Sequence, residues 1–255
     1  FVTIATKGNS KDFGELIQQR YGVGGCSSPT RGLIAGGFST PNYRNDIESI
    51  EISTLGNAAD FGDLTANNVY LSGASSHIRG VWGGGFPSPA NTNVIEFFTI
   101  ATQSNSTDFG DLLGGSGSYT PISNETRGVT CGGSGPSSPT GTDQMAYITI
   151  ATAGDATNFG DLSGNAQGAM GVQSSTRGVF NLGYVGGFVN TIEYITIAST
   201  GDTTSFGTLS RTNSAFGGSC CSSTRGLFAG GYNNTPAPAP EVNNIDYITI
   251  ASTGD

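Results

Sequence analysis

The chain has 255 residues, 35% of them hydrophobic and only 11% charged. That is enough apolar material for a packed β core, and it excludes a disordered polyelectrolyte. The net charge of −9 rests on scarce cations, ten Lys and Arg in all with no basic run, which excludes a surface built on phosphate contacts and so nucleic acid as a partner.

No apolar run approaches the ~20 residues that cross a bilayer as a helix, and no leader is read at Phe1, so membrane insertion is not expected. Gly reaches 41 residues, which predicts many short strands joined by frequent turns.

Self-similarity dominates the sequence. A mostly aromatic position opens a TIAT-like strand at Phe1, Ser49, Phe97, Tyr147, Tyr194 and Tyr247. A Phe-Gly pair follows at Phe13, Phe61, Phe109, Phe159 and Phe206, and an Arg-Gly pair at Arg31, Arg79, Arg127, Arg177 and Arg225. The step from the opening position to Phe is 12 residues in all five units, and from Phe to Arg it is 18 or 19. From Arg to the next opening position it ranges from 17 to 22, so length varies in one segment, as loops allow and strands do not. The units run 1–48, 49–96, 97–146, 147–193 and 194–246, with a partial unit 247–255.

Four strands are predicted per unit. The strand at the opening position alternates β-branched, aromatic and polar residues, as in Ile192–Ala198. A Gly with Asn or Asp follows, as in Gly56-Asn57 or Gly201-Asp202, the pairing expected of a tight hairpin. A short strand is predicted around Asp60–Leu64, another at Val69–Ser75, and the last at Arg31–Phe38, which ends in a Gly pair. Four antiparallel strands recurring at this period predict the blades of a β-propeller, five repeats plus the first strand of a sixth, forming one domain over 1–255. Because Phe1–Thr6 and Tyr247–Ser252 are equivalent strands, the chain reads as a segment of a longer repeat array.

The unit resembles a Kelch repeat, the blade also found in the galactose oxidase propeller. The Gly pair after an apolar strand, the following Tyr and a later aromatic keep the Kelch order, with Phe13, Phe61, Phe109, Phe159 and Phe206 where Kelch repeats place Trp. The third unit departs at Arg127-Gly-Val-Thr-Cys-Gly-Gly133, and in the fourth Leu182 replaces the first Gly of the pair. The TIATxGxxxxFGDL and STRGLFAGG wording also resembles repeat proteins of tailed phages of marine bacteria, especially cyanophages, which implies a virion or tail structural protein.

Catalysis needs positioned acids, bases, nucleophiles or metals, and the inventory is thin. His77 is the only histidine, at a position taken by Pro29, Glu125, Ser175 and Ser223 elsewhere, so the two-histidine copper site of galactose oxidase is not carried over. The acids flanking Phe-Gly, such as Asp60 with Asp63, vary from unit to unit, which favours turn caps over calcium. No catalytic residue, metal or cofactor is expected.

Cys26, Cys131, Cys220 and Cys221 lack zinc-site spacing; a Cys26–Cys220 disulfide stands as an alternative to buried thiols. The repeat arginines are expected to bond carbonyls or carboxylates between blades, with Glu48, Glu96, Glu193 and Asp246 as candidate partners.

The variable segments are the candidate binding surface: 39–46, 87–94, 135–144, 185–191 and 233–244. They are polar and poor in charge, and insertions that map to one face of a repeat array often mark its binding face. Candidate ligand contacts are Asn42, Tyr43, Asn91, Asn93, Asp143, Asn190, Asn233 and Asn234.

The expectation is a non-enzymatic binding or structural module of a virion or extracellular appendage, contacting a host surface glycan or a neighbouring appendage protein, with a homo-oligomer allowed. The rivals are a purely structural fibre segment and, further off, a propeller-type glycan hydrolase or lyase.

Overall fold

The computed structural model describes residues 1–134, 141–210, 215–232 and 243–253. The chain is all-β. In chain order the strands are β1 (Gly24–Ser27), β2 (Arg31–Ala35), β3 (Phe38–Ser39), β4 (Asn42–Tyr43), β5 (Asp46–Glu51), β6 (Ala59–Asp63), β7 (Ser72–Ser75), β8 (Arg79–Gly83), β9 (Val94–Thr99) and β10 (Thr107–Asp111). They continue with β11 (Thr120–Ser123), β12 (Arg127–Cys131), β13 (Thr142–Thr149), β14 (Thr157–Ala166), β15 (Met170–Gln173), β16 (Arg177–Asn181), β17 (Thr191–Thr196), β18 (Thr204–Thr208), β19 (Gly218–Cys221), β20 (Arg225–Ala229) and β21 (Ile245–Thr249).

These form the predicted blades of the β-propeller type. Four antiparallel sheets have four strands each: β1-β2-β5-β6, β7-β8-β9-β10, β11-β12-β13-β14 and β15-β16-β17-β18. A fifth has three, β19-β20-β21, and β3 and β4 make a separate small hairpin. Each blade therefore takes its first strand from the end of one repeat and its last from the Phe-Gly segment of the next.

Phe1–Thr6, expected as a strand, is not one. Phe1 exchanges main-chain hydrogen bonds with Lys11, and Ile4–Thr6 forms the same turn that follows β5, β9, β13, β17 and β21.

The chain divides into two compact units. One is Phe1–Thr3, Lys7–Ser118 and Ile148–Thr157, and it holds the first two blades. The other is Ile4–Thr6, Tyr119–Tyr147 and Asn158–Asp255.

Within each unit the core lies between blades. In the first, Leu33, Ala35, Ile47 and Phe61 of blade 1 close on Leu71, Trp82, Phe98 and Ile100 of blade 2. In the second, one cluster joins Ile122, Val129 and Phe159 to Phe180 and Ile195, and another joins Val172, Val179 and Phe206 to Phe228 and Ile248. A blade with neighbours on both faces must bury both, which is why Ile192, Glu193 and Ile195 of β17 are all buried.

The seams explain the invariant spacing. In four of the five Phe-Gly pairs the glycine lies against the turn of the following repeat, Gly-Asn/Asp in three and Ser104-Asn105 in one. A Cβ on Gly14 would sit 2.2 Å from the Gly56 carbonyl oxygen, on Gly62 2.3 Å from Ser104 O, on Gly110 2.5 Å from Gly154 O, and on Gly160 2.3 Å from Gly201 O. The φ angles there, +146° to +154°, are ones side-chain-bearing residues avoid.

In return, the turn bonds back. The main-chain N–H of Gly56, Gly154 and Gly201 donates to Phe13, Phe109 and Phe159 O. Asn57, Asn105, Asp155 and Asp202 accept the N–H of Glu15, Asp63, Asp111 and Asp161 at 3.0–3.1 Å. The Gly-Asn/Asp pair is thus not a two-residue hairpin within a blade, as expected from its sequence, but a clasp between repeats; seven residues separate β5 from β6.

A second clasp uses the buried acids. Glu96 accepts the Thr65 N–H (3.1 Å) and the hydroxyls of Thr65 and Ser106; Glu193 accepts the Ser163 N–H (3.2 Å) and the hydroxyls of Ser163 and Thr203. Glu48 accepts the Ile17 N–H and pairs with the buried Arg20 at 2.8 Å, and Asp246 accepts the Ser210 hydroxyl. The repeat arginines expected as partners of these acids are not theirs: each carboxylate meets an N–H or O–H donor that follows the Phe-Gly strand of its own repeat, joined at Glu96 and Glu193 by a hydroxyl of the next repeat.

Gly160→Ala is expected to destabilise the protein by about 2–3 kcal/mol, because the methyl must displace a carbonyl and the residue must hold a glycine conformation. Gly56→Ala, with open space at its Cβ, should cost under about 1 kcal/mol. Chemical denaturation of the two variants checks the contrast.

Candidate functional site

The repeat arginines were the sequence's most conspicuous polar feature, and each is engaged. Nη1 of Arg31, Arg79, Arg127, Arg177 and Arg225 donates to the carbonyl of Ile100, Ile150, Ile197, Ile250 and Ile4 respectively, at 2.9–3.1 Å. Four also stack on the opening-position ring of their own sheet: Arg79 on Phe97 (4.5 Å), Arg127 on Tyr147 (4.2 Å), Arg177 on Tyr194 (4.5 Å) and Arg225 on Tyr247 (4.9 Å). Of the five repeat arginines, Arg31 alone pairs with a carboxylate among the described residues, Glu51 at 3.0 Å. Guanidinium groups bonded this way are structural staples, not anion ligands.

The cysteines are free thiols, so the Cys26–Cys220 alternative is not realised. Cys26 packs on the core of blades 1 and 2, and burial pushes its thiol, like that of fully buried Cys131, well above the ordinary range. Among the described residues no three of His, Cys, Asp and Glu gather where a metal could bind. His77 is exposed in the turn between β7 and β8.

The candidate loops are held to the Gly pairs. The Arg44 N–H bonds Gly37 O, the Thr92 N–H bonds Gly85 O and the Val189 N–H bonds Gly183 O, so three variable segments leave their strands in the same way. In the first unit, the loops of blades 1 and 2 enclose an open cleft of about 480 Å³ lined by Pro41, Asn42, Tyr43, Arg44, Asn45, Asn67, Pro87 and Ser88. Of the sequence-predicted contacts, Asn42 and Tyr43 line it, presented by the β3–β4 hairpin. Arg44 brings no free charge, because its Nε and Nη2 both lie 2.6 Å from Asp46 Oδ2.

Asn91 and Asn93 lie on the neighbouring loop but not in the cleft lining; Asn93 uses its carbonyl to accept the Leu112 N–H. Asn190 bonds Leu209 through both its carbonyl and its Nδ2 (3.1 Å), a strand-closing role. Asp143 is half-buried in β13. Asn233 and Asn234 lie outside the described residues.

Sequence reading missed the aromatic rings beside the cleft. Tyr70, Tyr21, Phe38, Tyr43 and Phe86 follow one another at centroid distances of 6.5, 5.5, 5.1 and 6.3 Å. Tyr21 is 57% and Tyr70 45% exposed, so this row of rings is open to solvent. Burial, then the Tyr21 and Tyr43 phenols, raise the Tyr70 phenol, which stays protonated and able to donate at neutral pH.

Tyr70 occupies a left-handed conformation (φ 60°), as do Gly22, Ser118, Gly168 and Phe216 at the equivalent repeat positions. Its N–H bonds Gly22 O at 2.7 Å, and the Phe216 N–H bonds Gly168 O at 2.8 Å. A tyrosine held where glycine fits better carries a conformational cost, and its ring is exposed there. The second unit has a related set, with Phe188 5.2 Å from Tyr184 and 5.8 Å from Tyr232. Aligning positions 22, 70, 118, 168 and 216 would have exposed the signal.

No protein-family model matches the chain, and no curated protein is significantly similar to it.

Arg127→Ala is expected to cost about 1–3 kcal/mol, from one carbonyl bond and one cation–π contact, and Arg127→Lys to recover less than half, since an ammonium cannot bond and stack together. Thermal unfolding of both variants checks it; equal stability of wild type and Arg127→Ala would refute the staple.

Proposed function

We propose that the chain is a non-enzymatic, glycan-binding module of an extracellular or virion appendage, built from Kelch-like blades. The observation that carries this reading is the cleft holding Asn42 and Tyr43 beside a solvent-open row of aromatic rings. Amide and phenol groups can bond sugar hydroxyls, and flat apolar rings suit the C–H faces of a pyranose. Charge supports a neutral ligand: Arg44 is neutralised by Asp46, and the net charge of −9 opposes polyanions. The resemblance of the repeat wording to tail proteins of marine phages supplies the setting, a host surface glycan or a neighbouring appendage protein outside the cell.

The alternative is the purely structural reading, in which the near-identical repeats serve as a segment of a fibre. Light scattering across a concentration series separates the two: assembly without glycan affinity favours the structural module.

Tyr43→Ala, Asn42→Ala and Tyr70→Gly are expected to fold as wild type and to weaken binding to a neutral bacterial surface glycan about tenfold each. Tyr70→Gly is informative because two repeats already carry glycine there. Glycan-array screening followed by calorimetry on the best hit makes the test; affinity untouched by all three variants would remove the cleft from the reading.

A further inference from the structure

The opening position of the repeat is aromatic in every unit except one, where it is Ser49. In blades 2, 3 and 4 that ring is packed between two partners. Phe97 lies under Arg79 (4.5 Å) and 5.9 Å from Phe109; Tyr147 lies under Arg127 (4.2 Å) and 6.1 Å from Phe159; Tyr194 lies under Arg177 (4.5 Å) and 6.2 Å from Phe206. Each ring meets its phenylalanine edge to face, at 73° to 81°.

Blade 1 keeps both outer partners and lacks the ring. Arg31 stands directly over Phe61, 5.8 Å from its centroid, and the Ser49 hydroxyl turns to the Ala59 carbonyl. The space left is an open cavity of about 320 Å³, whose lining includes Arg31, Ser49, Glu51, Ala59, Phe61 and Gln103. That volume is at the lower end of what small-molecule sites occupy. Its walls are held from behind: Arg31 bonds Ile100 O and Glu51, and Gln103 Nε2 bonds Asp60 O at 2.9 Å. The guanidinium and the phenylalanine that flank the ring in the other blades therefore both line this cavity.

We propose that this cavity is a socket for a planar aromatic ring of the phenol or benzenoid class, which binds between Arg31 and Phe61 as Phe97, Tyr147 and Tyr194 do in the other blades. The attraction is the one those rings already use, a cation over a π face with an aromatic edge beside it. Blade 1 takes from outside what the other blades carry covalently. This site shares no residue with the glycan cleft, so either can fail without the other.

The test uses 4-methylphenol, the tyrosine side chain as a free molecule. Ligand-observed NMR and shift mapping of the Arg31 Hε and Phe61 ring signals are expected to show saturable binding with a dissociation constant on the order of 1–10 mM. Ser49→Ala keeps the socket and should bind alike, whereas Ser49→Tyr should fill it, abolish binding and raise the thermal midpoint by about 2–4 °C. 4-Methylcyclohexanol, of similar shape but without a π face, should bind at least fivefold more weakly. No shift at Arg31 or Phe61 at saturating 4-methylphenol, equal binding by the saturated ring, or unchanged binding to a folded Ser49→Tyr would each overturn the proposal.

Discussion

The architecture depends on the close approach of one repeat's Phe-Gly strand to the next repeat's turn. At four seams the glycine leaves no room for a Cβ, its oxygen neighbour being 2.2–2.5 Å from where that atom would stand. Only at this distance can the turn's amide N–H reach the Phe carbonyl, and its Asn or Asp side chain reach the following N–H. At three of these seams the phenylalanine is carried into an apolar layer, where Phe61, Phe109 and Phe159 are buried. The hydrophobic stabilisation is non-directional; the backbone clasp gives it a register.

The remaining polar groups are arranged around that seam. Buried glutamates take the donors left at the end of the Phe-Gly strand, and the arginines take the carbonyls left where the third strand turns. Both obey the same rule, that a polar group between packed sheets must find a partner there because water cannot reach it. With so few charges in the chain, the repeat arginines and the glutamates before the opening position are used this way, and most of the remaining polar and aromatic groups are neutral: amides, hydroxyls, phenols and rings. The cleft at Asn42 and Tyr43 and the row of rings from Tyr70 to Phe86 are made of such groups.

Departures from the repeat are where function is to be sought, since a position that varies while its neighbours do not has been released from packing. Ser49 opens a cavity where other units hold a ring. Tyr70 and Phe216 place rings at a left-handed position that glycine serves in Gly22 and Gly168.

By itself the sequence determined the all-β class, the number of repeats and the constant interval between the opening position and Phe, because these follow from local alternation and from anchors that recur at fixed spacing. It also marked Asn42 and Tyr43, through the length variation of their loop. It could not tell that Gly56-Asn57 clasps another repeat rather than closing a hairpin, since the same dipeptide serves both and the choice lies with a strand more than forty residues away. Nor could it assign Glu96 and Glu193 to hydroxyl and amide donors, and Glu48 to Arg20, instead of the repeat arginines, because both kinds of partner are near in sequence and only packing decides which is nearer in space. The run of rings beside the cleft was hidden for the same reason: Tyr21, Phe38, Tyr43, Tyr70 and Phe86 belong to different strands and turns, and only tertiary structure, by stacking one blade's turns on the next, makes them one surface.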